Sequence, residues 1–174
     1  MDDNVVVIDS VSKRFSACGA RIGMLISRNR ELMAQALKFC QGRLCTTTLE
    51  QVGASALYNV GPEYFAKVRE EYRRRRDLCY QKLTAIPGAV CAKPMGAFYV
   101  MAKLPIDNAD TFIKWMLTDF EDHGETVMCA PAAGFYATPG MGVNEIRIAY
   151  VLKEADLSRA LDLLALGIEA YNNR

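Results

Sequence analysis

The chain has one histidine, His123, and one tryptophan among 174 residues. A lone imidazole cannot build a histidine triad or a histidine-based metal site, so no metal is expected. Net charge is lacking too: 21 basic side chains face 20 acidic ones, leaving +1, and no overall field would draw the chain to nucleic acid or to an anionic membrane. The arginine run Arg73 to Arg76 spreads over a full helical turn of about 3.6 residues, so it cannot form one basic face. Glu70, Glu71 and Asp77 flank it, which predicts a solvated helix surface. No apolar stretch approaches the roughly 20 residues of a membrane span, and no charged-then-apolar signal opens the sequence. The six cysteines form no C-x-x-C pair, so reduced thiols in a cytoplasm are expected. Gly140-x-Gly142 precedes a strand where a dinucleotide fingerprint must follow one. Internal repeats and low-complexity segments are lacking as well.

What is present has the rhythm of an α/β chain, with 51% hydrophobic residues and enough length to bury a core. Val5 to Ile8, four consecutive β-branched residues, predicts a short strand buried on both faces. A second strand is expected over Arg21 to Ser27, then a helix over Arg28 to Gly42. Thr47 and Thr48 ahead of Glu50 and Gln51 offer a capping box for a helix from Leu49 to about Tyr58. Gly61-Pro62 punctuates, and a long helix from Glu63 to about Ala85 carries Phe65, Val68, Tyr72, Cys79 and Leu83 at helical spacing until Pro87-Gly88. Beyond it, strands are expected near 90–91, 97–102, 126–129 and 145–151. The helices between and after them span 109–123 and start again at Glu154. Phe112, Met116 and Phe120 form one apolar stripe and Leu157, Leu161, Leu164 and Ile168 another, so both helices should cover one face of a small sheet.

The chemistry sits at the opening, in Ser10-Val11-Ser12-Lys13 followed by Gly19-Ala20-Arg21-Ile22-Gly23. A lysine delivered at the end of a strand, with hydroxyls one and three residues before it and an arginine eight residues after, suits pyridoxal phosphate. The amine condenses with the aldehyde, while an arginine fork and a hydroxyl grip the phosphate. Such a lysine needs its amine partly neutral, which desolvation and a neighbouring cation promote.

The pattern S-x-S-K-x5-G-x-R-x-G resembles the cofactor-lysine motif of the fold-type I pyridoxal phosphate enzymes, the class I/II aspartate aminotransferase family in particular. Pro94-Met95-Gly96-Ala97-Phe98-Tyr99 resembles the family's turn into a small-domain strand, and Asn144 to Ala149 its carboxylate-binding arginine strand. All three stand in the family's order and separation. The resemblance implies the carboxy-terminal part of an aminotransferase, with an amino-terminal half lying outside this sequence and Met1-Asp2-Asp3-Asn4 an internal start. It implies a remnant of the large cofactor domain over 1–60, a linking helix over 61–86 and a complete small domain over 87–174.

By the same resemblance Lys13 is the catalytic, cofactor-bearing lysine, Ser10 and Arg21 hold the cofactor phosphate, and Arg147 binds the substrate α-carboxylate. Ser12 is the weaker candidate hydroxyl. A planar fork making two parallel bonds is what a carboxylate requires, and lysine could not replace it. Gly134-Phe135-Tyr136, with Gly140 and Gly142, would form a mobile loop ahead of Arg147. The implied partners are an amino acid, aspartate from the likeness of the Ser10 to Gly23 segment, and a 2-oxo acid. A homodimer or larger assembly through residues 1–60 would cover apolar strands left open. A lyase or decarboxylase using the same lysine and arginine, and a non-catalytic fragment, stay as alternatives; the isolated chain is expected to be inactive.

Overall fold

A computed structural model describes residues 2–174, in which the chain divides into two units, Met1–Tyr64 and Phe65–Arg174. In the first, β1 (Val6–Ser10) and β2 (Gly23–Ser27) pair antiparallel, with Val6 opposite Ser27 and Ser10 opposite Gly23. The connection holds a one-turn helix, α1 (Val11–Arg14), and a 3₁₀ turn over Cys18–Ala20. Helices α2 (Arg30–Arg43) and α3 (Thr48–Ser55) follow, and a 3₁₀ turn over Ala56–Asn59 extends the latter. Asn29 starts α2 by accepting a hydrogen bond from the Leu32 amide at 2.9 Å. Thr47 stands at the start of α3 without a side-chain cap, so the expected capping box is not closed from its hydroxyl side.

The strand expected to be buried at Val5 to Ile8 is open in this unit. Val5, Val6, Val7 and Ile8 are all exposed, Ile8 at 80%, and so are Leu25 and Ile26. Two-sided burial needs strands beside and helices above and below, and β1 has β2 as its one sheet neighbour among the described residues. Val11 is the one buried apolar side chain described in this unit.

The second unit has a true core. Its antiparallel sheet has the order β3 (Val90–Cys91), β4 (Tyr99–Lys103), β6 (Glu145–Ala149), β5 (Ala130–Pro131). Val100 and Ala102 on β4 and Ile146 and Ile148 on β6 point to the same buried face. Onto that face pack Cys79 and Leu83 of α4 (Pro62–Ala85), Phe112 and Met116 of α5 (Ala109–Thr118), and the predicted leucine stripe of α6 (Glu154–Asn172). Pro62 opens α4 at a position where its missing N–H costs nothing, and Gly88, in the left-handed region at φ +81°, turns the chain after it.

Two boundaries differ from the sequence expectation. Helix α5 ends at Thr118, not His123: the Asp119 and Phe120 amides both donate to the Trp115 carbonyl, and a tight turn with His123 at φ 55° and Gly124 at φ 76° reverses the chain. The strand expected near 126–129 is displaced to Ala130–Pro131. Val127 and Cys129 still pack against the core by strand-like alternation, but no ladder partner is assigned to them.

The four consecutive arginines of α4, Arg73 to Arg76, are not simply solvated. Arg73 pairs with Glu70 at 2.7 Å, Arg74 with Glu71 and with Glu154 of α6, and Arg76 with Asp77 at 2.8 Å. Arg75 holds Glu71 at 2.7 Å and donates to the Val151 carbonyl at 2.7 Å. The run is therefore neutralised, and partly used to tie α4 to the segment joining β6 to α6.

Leu164 is fully buried. Leu164→Ala should cost about 2 to 5 kcal/mol of stability through lost transfer energy and a residual cavity. A urea titration checks this as a lower midpoint at unchanged slope; a loss under about 0.5 kcal/mol, the range of surface substitutions, would contradict the packing.

Candidate functional site

In the first unit the motif residues cluster around the end of β1. Ser10 is the N-cap of α1, and its Oγ accepts from the Ser12 amide at 3.3 Å, leaving the hydroxyl hydrogen for another acceptor. Lys13 lies on α1 itself and is exposed. Ser12, the weaker candidate hydroxyl, is on α1 as well. Asp9 beside them accepts from the Ser10 amide at 2.7 Å and from Arg14 at 2.5 Å, so Arg14 is matched by a local carboxylate. Arg21 caps the Cys18–Ala20 turn in the left-handed conformation, φ 54° and ψ 38°. Its exposed guanidinium turns back to the Cys18 carbonyl at 3.0 Å, and the Thr46 hydroxyl donates to the Arg21 carbonyl at 3.1 Å. One hydroxyl, one amine and one guanidinium are thereby set on a single strand–turn–strand segment. Their donor set fits a phosphate-bearing aldehyde cofactor.

In the second unit Arg147 lies in the middle of the sheet, paired to Met101 on β4 and Ala130 on β5. Because Ile146 and Ile148 are buried, period-two alternation turns Arg147 to the other face. There its guanidinium lies over the Tyr99 ring at 4.4 Å and the Phe135 ring at 4.2 Å. Two aromatic rings thus contact the cation, a favourable arrangement for a guanidinium. No acceptor among the described residues is bonded to its N–H groups. Arg147 lines an open groove of about 530 Å³ with Tyr99, Cys129, Ala130 and apolar side chains of α6.

The loop ahead of β6 bears on the same place. Ala133–Phe135 forms a 3₁₀ turn that brings Phe135 to Arg147. Gly142, at φ +70° and buried, is bare where a Cβ would meet the Tyr136 ring. The Tyr136 hydroxyl then donates to Glu145 Oε2 at 2.5 Å, a contact that raises the tyrosine pKa. Sequence reasoning placed Tyr99 in the turn motif and Phe135 and Tyr136 in the loop without assigning them these contacts. Their aromatic character was the available signal; the pairing depends on how the loop folds.

The family model of aminotransferase class I and II matches residues 1–164. The chain belongs to this family. It is 30% identical to the aspartate aminotransferase of Bacillus subtilis (strain 168) over 99% of its own length and 43% of that enzyme's. A second relative, the aspartate aminotransferase of Rhizobium meliloti (strain 1021), is 30% identical over 97% of the chain and 42% of that protein. The crystal structure of the Rhizobium meliloti aspartate aminotransferase matches with a TM-score of 0.77 and 27% identity, covering 97% of this chain and 42% of that one. The fold is shared with the α-aminoadipate aminotransferase of Thermus thermophilus, solved with N-(5'-phosphopyridoxyl)-L-leucine, at TM-score 0.82 and 22% identity over 97% of this chain and 42% of that one. This aminotransferase-family chain spans less than half the length of the curated relatives it matches.

The described residues hold no helix long and apolar enough to cross a membrane and no His, Cys, Asp and Glu cluster that could hold a metal ion. All six cysteines are free thiols; Cys18, Cys40 and Cys45 are exposed. Burial pushes the thiols of Cys79 and of Cys129, in the groove, from the ordinary 9.0 up to about 12. A pulse of iodoacetamide at pH 8 followed by peptide mass mapping should therefore label Cys18, Cys40 and Cys45 first and Cys79 and Cys129 last, since only the thiolate reacts. Early labelling of Cys79 would contradict its burial.

Proposed function

We propose that the chain serves a longer, pyridoxal-phosphate-dependent enzyme that moves an amino group from an amino acid, aspartate by likeness to its relatives, to a 2-oxo acid. In this reading residues 1–60 belong to the large cofactor domain, 61–86 to a linking helix and 87–174 to the small domain. Open apolar strands such as Val5 to Ile8 support further chain, or a second copy, covering the first of these. The observation that carries the reading is the state of Arg147. The Tyr99 and Phe135 rings lie 4.4 Å and 4.2 Å from its guanidinium, its N–H edge has no acceptor among the described residues, and the residue lines a groove. A planar anion arriving edge-on, such as an α-carboxylate, matches that edge with two parallel hydrogen bonds.

The bound cofactor supplies an aldehyde for amines and a ring that takes up the electron pair left on the substrate α-carbon. The chain's own residues do the rest. Lys13 Nζ accepts the proton from the substrate α-carbon and returns one on the other side of the exchange, which is general acid-base work. Ser10 Oγ and the Arg21 guanidinium bind the phosphate, Arg21 leaving the Cys18 carbonyl to do so. Arg147 fixes the carboxylate, so the bond to be broken at the α-carbon is held in one orientation.

In the longer enzyme, borohydride reduction followed by peptide mapping should place the pyridoxyl group on Lys13; a label mainly on Lys38 or Lys93 would overturn its assignment. Arg21→Lys and Arg147→Lys should differ in kind. The first should weaken cofactor retention. The second should keep the cofactor spectrum and raise KM for the amino acid about tenfold to a hundredfold, the equivalent of about 1.5 to 3 kcal/mol for a charged hydrogen-bonded contact. Normal amino-acid binding by Arg147→Lys would remove the carboxylate role.

A further inference from the structure

The carboxylate nearest to Arg147 along its own strand is Glu145. The two residues are separated by one position on β6, so their side chains stand on the same face of the sheet. A carboxylate there is an intramolecular rival for the guanidinium edge that a substrate must occupy. It does not take that edge: no ion pair joins Glu145 to Arg147, and Glu145 Oε2 instead accepts the Tyr136 hydroxyl at 2.5 Å. Tyr136 can reach it because the bare Gly142, at φ +70°, leaves room for the ring. Across β4, Lys103 stands opposite Glu145 in the register and forms no ion pair with it. Among the described residues the tyrosine is the one partner of the Glu145 side chain.

We propose that Tyr136 is a positioning residue that holds the Glu145 carboxylate away from Arg147 and so keeps the guanidinium edge open for a carboxylate ligand. The inference rests on the carboxylate role of Arg147 and deepens it. Substrate affinity is set in part by a hydroxyl that touches neither the substrate nor Arg147. Without that hydroxyl, Glu145 competes as a tethered anion, and an exposed Arg–carboxylate pair of ordinary strength would weaken an incoming anion about two- to fivefold. The raised tyrosine pKa agrees with a hydroxyl committed to the Glu145 side chain.

The test uses the ¹⁵N-labelled chain and follows the Arg147 Nε–Hε resonance, identified by its loss in Arg147→Lys. Tyr136 is 36% exposed, so Tyr136→Phe removes one hydroxyl without opening a core cavity. With no ligand present, that substitution should move the resonance as Glu145 pairs with Arg147, and Tyr136→Phe with Glu145→Gln should return it. Titrated with succinate, Tyr136→Phe should bind about two- to fivefold more weakly than the original chain, and the double variant should recover. In the longer enzyme Tyr136→Phe should raise KM for the amino acid by the same factor at unchanged kcat. A resonance that stays in place, because the released carboxylate turns to Lys103 or to water, overturns the proposal. A resonance that moves in Tyr136→Phe while the original chain shows no response to succinate overturns the carboxylate role, and the proposal falls with it by a different signature.

Discussion

Burial of Ile146 and Ile148 is the constraint on which the second unit turns. Both side chains are driven into the core beneath α4, α5 and α6, and a strand has only two faces. Arg147 between them is therefore committed to the other face, with its neighbours Glu145 and Ala149. The register of β6 against β4 then brings Tyr99 alongside, and the Ala133–Phe135 turn supplies the second ring. Slipping β6 by one residue would bury a guanidinium and expose two isoleucines, a change the core excludes strongly. The geometry of the cation thus follows from apolar burial on the opposite face of its own strand.

The two units are unlike in how much structure they can hold by themselves. The second closes an apolar core between three helices and four strands. The first presents its most apolar strand to solvent and shelters little besides Val11. Yet the first carries Ser10, Lys13 and Arg21, whose positions depend on short local devices: an N-cap, one helical turn and a left-handed residue. Such devices set directions for side chains without requiring a large core.

Much of this was legible in the sequence where the signal is periodic. The stripes of α5 and α6, the long α4 and the alternation around Arg147 all reflect a repeat that burial reads directly. The strand at Val5 to Ile8 was located by its β-branched run, but its burial depends on neighbours that composition cannot supply. Val127 and Cys129 alternate as a strand does, and only the displaced ladder with β6 reveals that pairing begins at Ala130. The end of α5 was misplaced because Phe120 continues the apolar stripe after the helical hydrogen bonds have stopped. Ser10, Lys13, Arg21 and Arg147 are candidates that the family resemblance supplies, whereas the contact of Tyr99 arises from strand register and those of Phe135 and Tyr136 from folding of a loop. The arginine run of α4 reads from sequence as a solvated surface flanked by acids, and its ties to Glu154 and the Val151 carbonyl are not visible there.

The two rings around Arg147 bear on how tightly a modest contact can hold. An arginine side chain free in water samples many rotamers, and fixing it costs about 2 kcal/mol of conformational entropy. Ring contacts with Tyr99 and Phe135 limit that freedom in the folded chain, so less of it would remain to be lost were an anion to bind there. Replacing either ring with an aliphatic side chain would therefore act on affinity through disorder in the unliganded protein, with every polar contact to the ligand unchanged.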